Sequence, residues 1–235
     1  MQTLSAAFKY LTIWSFFAAV KPAVETIGKA AVYFPLVGLV MGLTLAVSNY
    51  LLAPYLHPEI LSVALITLFI ALTGGLHLDG LKRTFATLAA KATGNAGGEK
   101  DALGIAALLL VILFKIAAAD SMDEKLAVSL LLTPVLARWA LVIFLYGDHL
   151  RFEETPRPIA AQIKLWHLLA GTLATLALAV YFLGRKGLWI GLAVSLFALL
   201  ARSLLYRRHG VLTHDHVGAV VELGEALSLI LLASL

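Results

Sequence analysis

The stretch Ser62–Phe85, SVALITLFIALTGGLHLDGLKRTF, joins an apolar run to a cluster of polar and charged residues. Its first half is apolar enough to lie in a lipid bilayer. Two glycines, a histidine, an aspartate, a lysine and an arginine follow directly. The glycines, Gly74 and Gly75, permit a break in a helix or a close approach of backbones. The stretch therefore predicts a membrane helix that ends at a polar site.

The composition of the whole chain also indicates a membrane protein. Of its 235 residues, 61% are hydrophobic and 14% are charged, whereas a soluble domain is usually about half apolar and about a quarter charged. The chain has no cysteine, which excludes disulfide bonds and thiolate metal sites. We predict an all-α fold, a polytopic transmembrane helical bundle. Because no repeat or low-complexity linker divides it, we expect residues 1–235 to form a single domain.

Membrane-spanning segments can be read from length and apolarity, since a helix needs about 20 mostly apolar residues to cross a bilayer. Six segments meet this condition, and a seventh carries two glutamates in its first half. They cover residues 31–53, 60–76, 102–119, 126–146, 167–184, 187–206 and 217–235. The N-terminal segment lacks the basic start of a secretory signal, and Lys9 interrupts its apolar stretch. We expect it to be retained as an interfacial or re-entrant helix.

The basic residues between these segments predict the orientation. If the N-terminus is cytoplasmic, the segments on that side contain Lys9, Lys21, Lys29, Lys82, Arg83, Lys91, Lys100, Arg151, Arg157, Lys164, Arg207 and Arg208. The opposite side contains only Lys125, Arg185 and Lys186. The positive-inside rule then places loops 77–101, 147–166 and 207–216 on one cytoplasmic face. Three polar segments on one face can converge into one site.

Several carboxylates are candidates for a site. Glu222 and Glu225 share one face of an apolar segment, and ionisable groups inside membrane segments are costly and often functional. Alternatively, this helix begins late and leaves both glutamates in interfacial water. Asp79 can equally be a solvated helix end. Asp215 lies between two histidines, but this pattern alone is too small for a zinc site.

Oxygen ligands of this kind suit magnesium, which takes a few carboxylates together with phosphate oxygens and water. The candidate ligands are Asp79, Asp215, Glu222 and Glu225. Nearby basic side chains would bind phosphate, namely Lys82, Arg83, Arg207, Arg208 and Arg151. For each of these cations the alternative is the positive-inside rule alone.

Two further cations, Lys115 and Arg138, lie inside apolar spans. Each should face a partner or a polar cavity rather than lipid. Glu222 and Glu225 are possible partners. A structural ion pair and a contact with substrate both remain open for these two cations.

Three motifs, in this order and at these separations, resemble the cobalamin synthase family, the adenosylcobinamide-GDP ribazoletransferases. They are YFPLVG at 33–38, GGLHLDGL at 74–81 and GAVVELGE at 218–225. The resemblance implies a multi-pass protein of the bacterial or archaeal inner membrane with a cytoplasmic active face. It implies a magnesium-dependent reaction in which a hydroxyl of α-ribazole, or of its 5′-phosphate, displaces GMP from adenosylcobinamide-GDP. We expect no nucleic-acid partner.

The resemblance also implies roles for individual residues. Those expected to be catalytic are Asp79, His77 and Glu222. The expected magnesium ligands are Asp79, Asp215, Glu222, Glu225 and Asp101. Substrate contacts are expected from Arg138, Gly74, Gly75 and Gly80, in addition to the five basic residues named above.

The chain departs from the family pattern after Gly80. The family has two more aspartates and a glycine where this chain has Arg83, Ala86 and Thr87. An arginine in place of an aspartate changes the local charge by two. Arg83 can replace a metal ion by contacting phosphate directly, or the second metal and catalysis can both be lost.

Three interpretations follow. The first is an active ribazoletransferase. The second is a non-catalytic relative that binds a corrinoid or holds other enzymes of the pathway together. The third is a small-solute transporter, which inverted repeats would favour, but none is visible in the sequence. The chain is also a candidate for a homo-oligomer or for a complex with other corrinoid-assembly enzymes.

Overall fold

The computed structural model describes residues 2–13, 23–93, 99–147 and 159–235. Within these ranges the chain is helical and contains no strand, which confirms the predicted all-α fold. The α-helices there are α1 (Gln2–Leu11), α2 (Val24–Ala30), α3 (Phe34–Leu52), α4 (Pro58–Thr73), α5 (Leu76–Thr93), α6 (Glu99–Asp120), α7 (Leu126–Leu145), α8 (Leu165–Leu183), α9 (Arg185–His209) and α10 (His214–Ala233). Short 3₁₀ helices cover Ala31–Tyr33 and Ile159–Gln162.

The predicted membrane helices are confirmed. In the described part of the chain, six helices are long and apolar enough to cross a bilayer, and α4 with α5 adds a seventh if the bent pair is one span. Each boundary of α3, α4 and α6 to α10 lies within three residues of its predicted span. Length and apolarity are therefore sufficient to locate these helices.

The prediction of a loop over residues 77–101 is wrong, because its first part forms α5. After α4 ends, Gly74 and Gly75 have φ angles of 63° and 70°, and their backbone N–H groups bond to Ile70 O. The chain then turns by 88° into α5. Leu78 and Leu81 are buried where α5 packs against α6 and α10. The segment is helical because one face of it is apolar. Its polar residues make it too hydrophilic on average to be predicted as a membrane-spanning helix.

Helix α7 lies at the centre of the bundle. Most of its side chains are buried, and α3 and α10 pack against it. A Cβ added at Gly38 of α3 would lie 2.4 Å from the carbonyl oxygen of Pro134, and one at Gly42 would lie 2.2 Å from that of Leu131. Glycines four residues apart allow this close contact of helix backbones in membranes. In contrast, α8 and α9 expose many apolar side chains, as expected for a lipid-facing edge.

Helix α1 packs on the bundle through its small and apolar face. Ala6, Ala7 and Leu11 are buried, and the helix contacts α2 and α3. The helix expected near the N-terminus is therefore present over Gln2–Leu11. Its placement at a membrane interface stays a prediction.

Candidate functional site

Helices α5 and α10 cross in direct backbone contact. A Cβ at Gly218 would lie 2.8 Å from His77 O and 3.0 Å from Gly80 Cα. A Cβ at Gly80 would lie 2.9 Å from the backbone oxygen of Asp215. Only glycines permit this approach without movement of the backbone. The crossing places the HLDG motif of α5 beside the first turn of α10.

Two carboxylates face one cation at this crossing. Arg83 Nε donates to Asp79 Oδ2 at 2.8 Å, and their side chains are 62% and 56% exposed. The half-buried Asp215, on α10, lies within electrostatic range of the same guanidinium. We call the surface formed by Asp79, Arg83 and Asp215 the acidic mouth.

The first turn of α10 is fixed by a capping box. Thr213 Oγ1 accepts from His216 N at 3.4 Å, and His216 Nδ1 accepts from Thr213 N at 3.1 Å. This arrangement satisfies backbone donors at the helix start. Asp215 lies within this turn, where the helix dipole favours a negative charge. The capping box therefore fixes the backbone that carries Asp215.

Aromatic side chains from α1 and α9 pack beside this turn. The Tyr10 ring lies 6.2 Å from the His214 ring in an edge-on arrangement, and the His209 and His216 rings lie 4.6 Å apart. Burial raises the pKa of the Tyr10 hydroxyl, which is therefore neutral at physiological pH. Helix α1 thus contacts the start of α10, at the residue before Asp215.

Deeper in the bundle lies a buried ionic cluster of Lys115, Arg138, Glu222 and Glu225. Lys115 Nζ donates to Glu222 Oε2 and to Glu225 Oε2, each at 2.5 Å. Arg138 Nη1 donates to Glu225 Oε1. All four side chains are at most 2% exposed. The cluster contains two cations and two anions, so its charges balance.

Phe69 of α4 and His77 of α5 border this cluster. Lys115 Nζ lies 5.2 Å and Arg138 Cζ 5.6 Å from the Phe69 ring centroid, within cation–π range. His77 is buried within electrostatic range of Arg138 and Glu225. Among the described residues, His77 Nε2 and Arg138 Nε and Nη2 have no hydrogen-bond partner. Buried polar atoms are usually satisfied, so these three unpaired atoms are unusual for the interior of the bundle.

The predicted partners of the buried cations are confirmed. Lys115 pairs with both glutamates, and Arg138 pairs with Glu225. The alternative that the glutamates lie in interfacial water is wrong, because Glu222 and Glu225 are each 1% exposed. Helix α10 begins at His214, about two turns before Glu222 and about three turns before Glu225, so both lie well inside the helix.

Four of the five candidate carboxylates fall into two groups rather than one, and Asp101 belongs to neither. Asp79 and Asp215 face the mouth, whereas Glu222 and Glu225 already accept hydrogen bonds from buried cations. Asp101 is exposed near the start of α6 and forms no ion pair within the described residues.

The remaining basic candidates lie around the same end of the bundle. Lys82 is half-buried, and its backbone oxygen would lie 2.5 Å from a Cβ at Gly104. Arg207 and Arg208 are exposed in the last turn of α9. Lys91 Nζ donates to the backbone oxygen of Arg208 at 3.2 Å, which joins α5 to α9. A further candidate, Arg151, lies outside the described residues.

Whether the site suits magnesium depends on the carboxylates of the acidic mouth. No three histidine, aspartate or glutamate side chains in the described ranges are grouped as a metal site. Magnesium is commonly bound by one or two carboxylates, completed by phosphate oxygens and water. Asp79 and Asp215 fit such a donor set. The prediction that Glu222 and Glu225 are also ligands stays a prediction, and ion pairing is the role that their contacts show.

Sequence reasoning missed two residues of the site. Phe69 lies in a uniformly apolar run, where no signal separates it from its neighbours. Tyr10 lies in the amphipathic α1, and its contact with His214 depends on packing between distant segments.

Comparisons with known proteins place the chain in a family. The family model for cobalamin-5-phosphate synthase matches residues 3–233. The adenosylcobinamide-GDP ribazoletransferase of Geotalea daltonii is 32% identical over 232 residues, covering 90% of this chain and 88% of the relative. Those of Pseudomonas putida GB-1 and Desulfitobacterium hafniense are 34% and 33% identical, covering 87% and 84% of this chain and 87% and 83% of the relatives. No solved structure matches. The chain therefore belongs to the cobalamin-5-phosphate synthase family.

Proposed function

We propose that the protein transfers adenosylcobinamide phosphate from adenosylcobinamide-GDP to α-ribazole or its 5′-phosphate and releases GMP, the nucleotide-loop step of cobalamin biosynthesis. Relatives that align with this chain over most of their length are named for this activity. The structural observation that supports it most is the crossing of α5 and α10, which brings Asp79 and Asp215 to one guanidinium. Carboxylates and cations on one surface are what a pyrophosphate substrate requires.

The reaction is a phosphoryl-type transfer. A hydroxyl oxygen of α-ribazole forms a bond to the phosphorus that carries cobinamide. The bond from this phosphorus to the bridging oxygen breaks, and GMP leaves with the electron pair. The hydroxyl proton passes to a basic side chain, for which Asp79 is the exposed candidate and His77 the buried one. Such reactions depend mainly on positioning and on neutralisation of charge.

Asp79 and Asp215 would hold magnesium at the mouth. The ion would offset negative charge on the pyrophosphate. Arg83, Arg207 and Arg208 are exposed at the same end and suit contacts with phosphate oxygens. Glu222, predicted as catalytic, acts in this proposal through the buried ionic cluster rather than by touching substrate.

We place the mouth on the cytoplasmic face of a bacterial or archaeal inner membrane. The distribution of lysine and arginine supports this orientation, and a cytoplasmic nucleotide would reach the mouth directly. Self-association and complexes with other corrinoid-assembly enzymes stay predictions.

Turnover of the purified protein in nanodiscs tests the proposal. Adenosylcobinamide-GDP, α-ribazole and magnesium are supplied, and release of GMP and formation of the corrinoid product are followed together. We expect a one-to-one ratio of GMP to product and loss of both with EDTA. GMP without corrinoid product would indicate hydrolysis and contradict the transfer.

A second candidate is a non-catalytic relative that binds a corrinoid. The observation in its favour is that Asp79 is paired with Arg83, which occupies a position where the family has an aspartate. Folded protein that binds adenosylcobinamide-GDP but forms no product would support this candidate. Family membership and the lack of inverted repeats leave the transporter without support.

A further inference from the structure

We propose that Arg83 acts as an internal cation of the acidic mouth, binding phosphate itself and competing with a divalent metal ion for Asp79 and Asp215. This inference rests on the proposed function, since it assigns a role within the same site. It concerns how the positive charge at the mouth is divided between the chain and a metal.

Arg83 interacts with carboxylates from two helices. Its Nε binds Asp79 one turn earlier on α5, and Asp215 of α10 lies within electrostatic range of the same guanidinium. The contact of Gly80 with Gly218 holds these helices together, so the backbone positions that carry the two carboxylates are fixed relative to each other. The guanidinium therefore lies in the negative potential that would otherwise attract a metal ion.

Arg83 lowers the negative charge that Asp79 and Asp215 offer to a metal ion. These three side chains together carry a net charge of about −1. A unit positive charge about 5 Å from a dication weakens its binding roughly tenfold in water, by Coulomb's law. Magnesium would thus bind weakly before substrate arrives and more tightly once the pyrophosphate adds its own charge.

Arg83 is also placed to contact the substrate. Its side chain stays 62% exposed although Nε is bound to Asp79. A guanidinium held by one carboxylate is oriented, and its remaining N–H groups suit a bidentate contact with phosphate. An exposed pair within one helix usually adds little to stability, so the pairing is better explained by orientation of the guanidinium than by the fold.

The test measures metal binding without turnover. Mn²⁺ is titrated into nucleotide-free protein in nanodiscs, and free Mn²⁺ is counted by its paramagnetic resonance signal. We expect Arg83→Gln to tighten Mn²⁺ binding about tenfold. Lys125→Gln, which removes an exposed charge near the start of α7, should change it less than about twofold. Equal Mn²⁺ affinity in Arg83→Gln and the unmodified protein would overturn the inference.

Two further measurements separate charge from geometry. Arg83→Lys keeps the charge but loses the planar fork, so we expect unchanged Mn²⁺ affinity and several-fold weaker binding of GDP in EDTA. Undiminished GDP binding in both Arg83 variants would overturn the phosphate contact. Asp79→Asn added to Arg83→Gln should abolish the gain in Mn²⁺ affinity, and a retained gain would place the metal elsewhere.

These outcomes are independent of the transfer reaction. A protein that forms no corrinoid product but shows the tenfold effect on Mn²⁺ would refute the proposed function and keep the role of Arg83. If the protein forms the corrinoid product but Arg83→Gln leaves Mn²⁺ and GDP binding unchanged, the proposed function is kept and the role of Arg83 is refuted.

Discussion

Lys115 and Glu225 lie 110 positions apart in the sequence, yet Lys115 Nζ donates a hydrogen bond to Glu225 Oε2 at 2.5 Å inside the bundle. This contact fixes one face of α10 against α6. Gly218, Glu222 and Glu225 follow one another at spacings of four and three residues and so share that region of the helix surface. The buried ionic cluster therefore also sets the rotation of α10 that brings Gly218 to α5.

The balance of charge in this cluster gives the first prediction. Lys115→Met leaves two buried carboxylates with only Arg138, and an uncompensated buried charge typically costs about 3–5 kcal/mol. Lys115→Met combined with Glu222→Met leaves the balanced pair of Arg138 and Glu225. We expect the single variant to lose stability on this scale and the double variant to regain most of it. Unfolding in detergent micelles, analysed as a double-mutant cycle, measures the coupling.

The control for this cycle is Lys125→Met, because Lys125 is exposed. It should change the free energy of unfolding by less than about 0.5 kcal/mol. If the loss in the double variant equals the sum of the losses in Lys115→Met and Glu222→Met, the two residues are not coupled and the cluster does not act as a charge-balanced unit.

The second prediction concerns Asp79. Asp79→Asn removes the carboxylate charge while keeping the shape of the side chain. We expect turnover to fall about 100-fold or more, the usual scale of an acid–base contribution. Stability should change by less than about 1 kcal/mol, because the pair with Arg83 is exposed to water. Asp123→Asn, in the link between α6 and α7, is a matched control that should keep full activity. Full turnover in Asp79→Asn would remove Asp79 from the catalytic and metal-binding set.

The membrane helices could be predicted from the sequence, whereas α5 could not. A span is set by length and apolarity, and both are properties of a single segment. The helix α5 is apolar on one face only, and Leu78 and Leu81 are buried because α6 and α10 are there to cover them. A rule that scores segments one at a time assigns such a helix to a loop.

The residues of the site could be predicted better than their grouping. Asp79, Asp215 and the buried glutamates stand out as charges beside apolar runs. Their separation into a mouth and a buried cluster depends on where each helix starts and how it is rotated. Spacing within one helix does not contain this information. It is fixed by contacts between helices, such as those of Gly80 and of Lys115.

The third prediction tests the crossing of α5 and α10. Gly218→Ala places a Cβ 2.8 Å from His77 O and 3.0 Å from Gly80 Cα, so one of the two helices must move. We expect a loss of about 1–3 kcal/mol in stability from overpacking and at least a several-fold loss of turnover, because Asp215 moves away from Asp79.

Gly171→Ala on α8 is the matched control for this substitution. Its Cβ would meet only Pro35 Cγ at 3.6 Å, an ordinary contact. This variant should keep both stability and turnover. A fully active Gly218→Ala would show that the close approach of α5 and α10 is not needed for the reaction.

The last prediction separates backbone conformation from packing at the break between α4 and α5. Gly75 has a φ of 70°, and a Cβ added there would meet nothing within 4 Å, so Gly75→Ala introduces conformational strain alone. Gly184, between α8 and α9, has the same open surroundings, with a φ of 58° and a ψ of −138°. A residue with a Cβ costs about 1–3 kcal/mol in such sparsely populated conformations, so thermal unfolding should show a loss of stability in both alanine variants. Only Gly75→Ala should also lower turnover, because the strain is relieved by a change in the 88° bend that carries Asp79 to the mouth. Equal turnover in the two variants would mean that the angle of the break does not determine the position of Asp79.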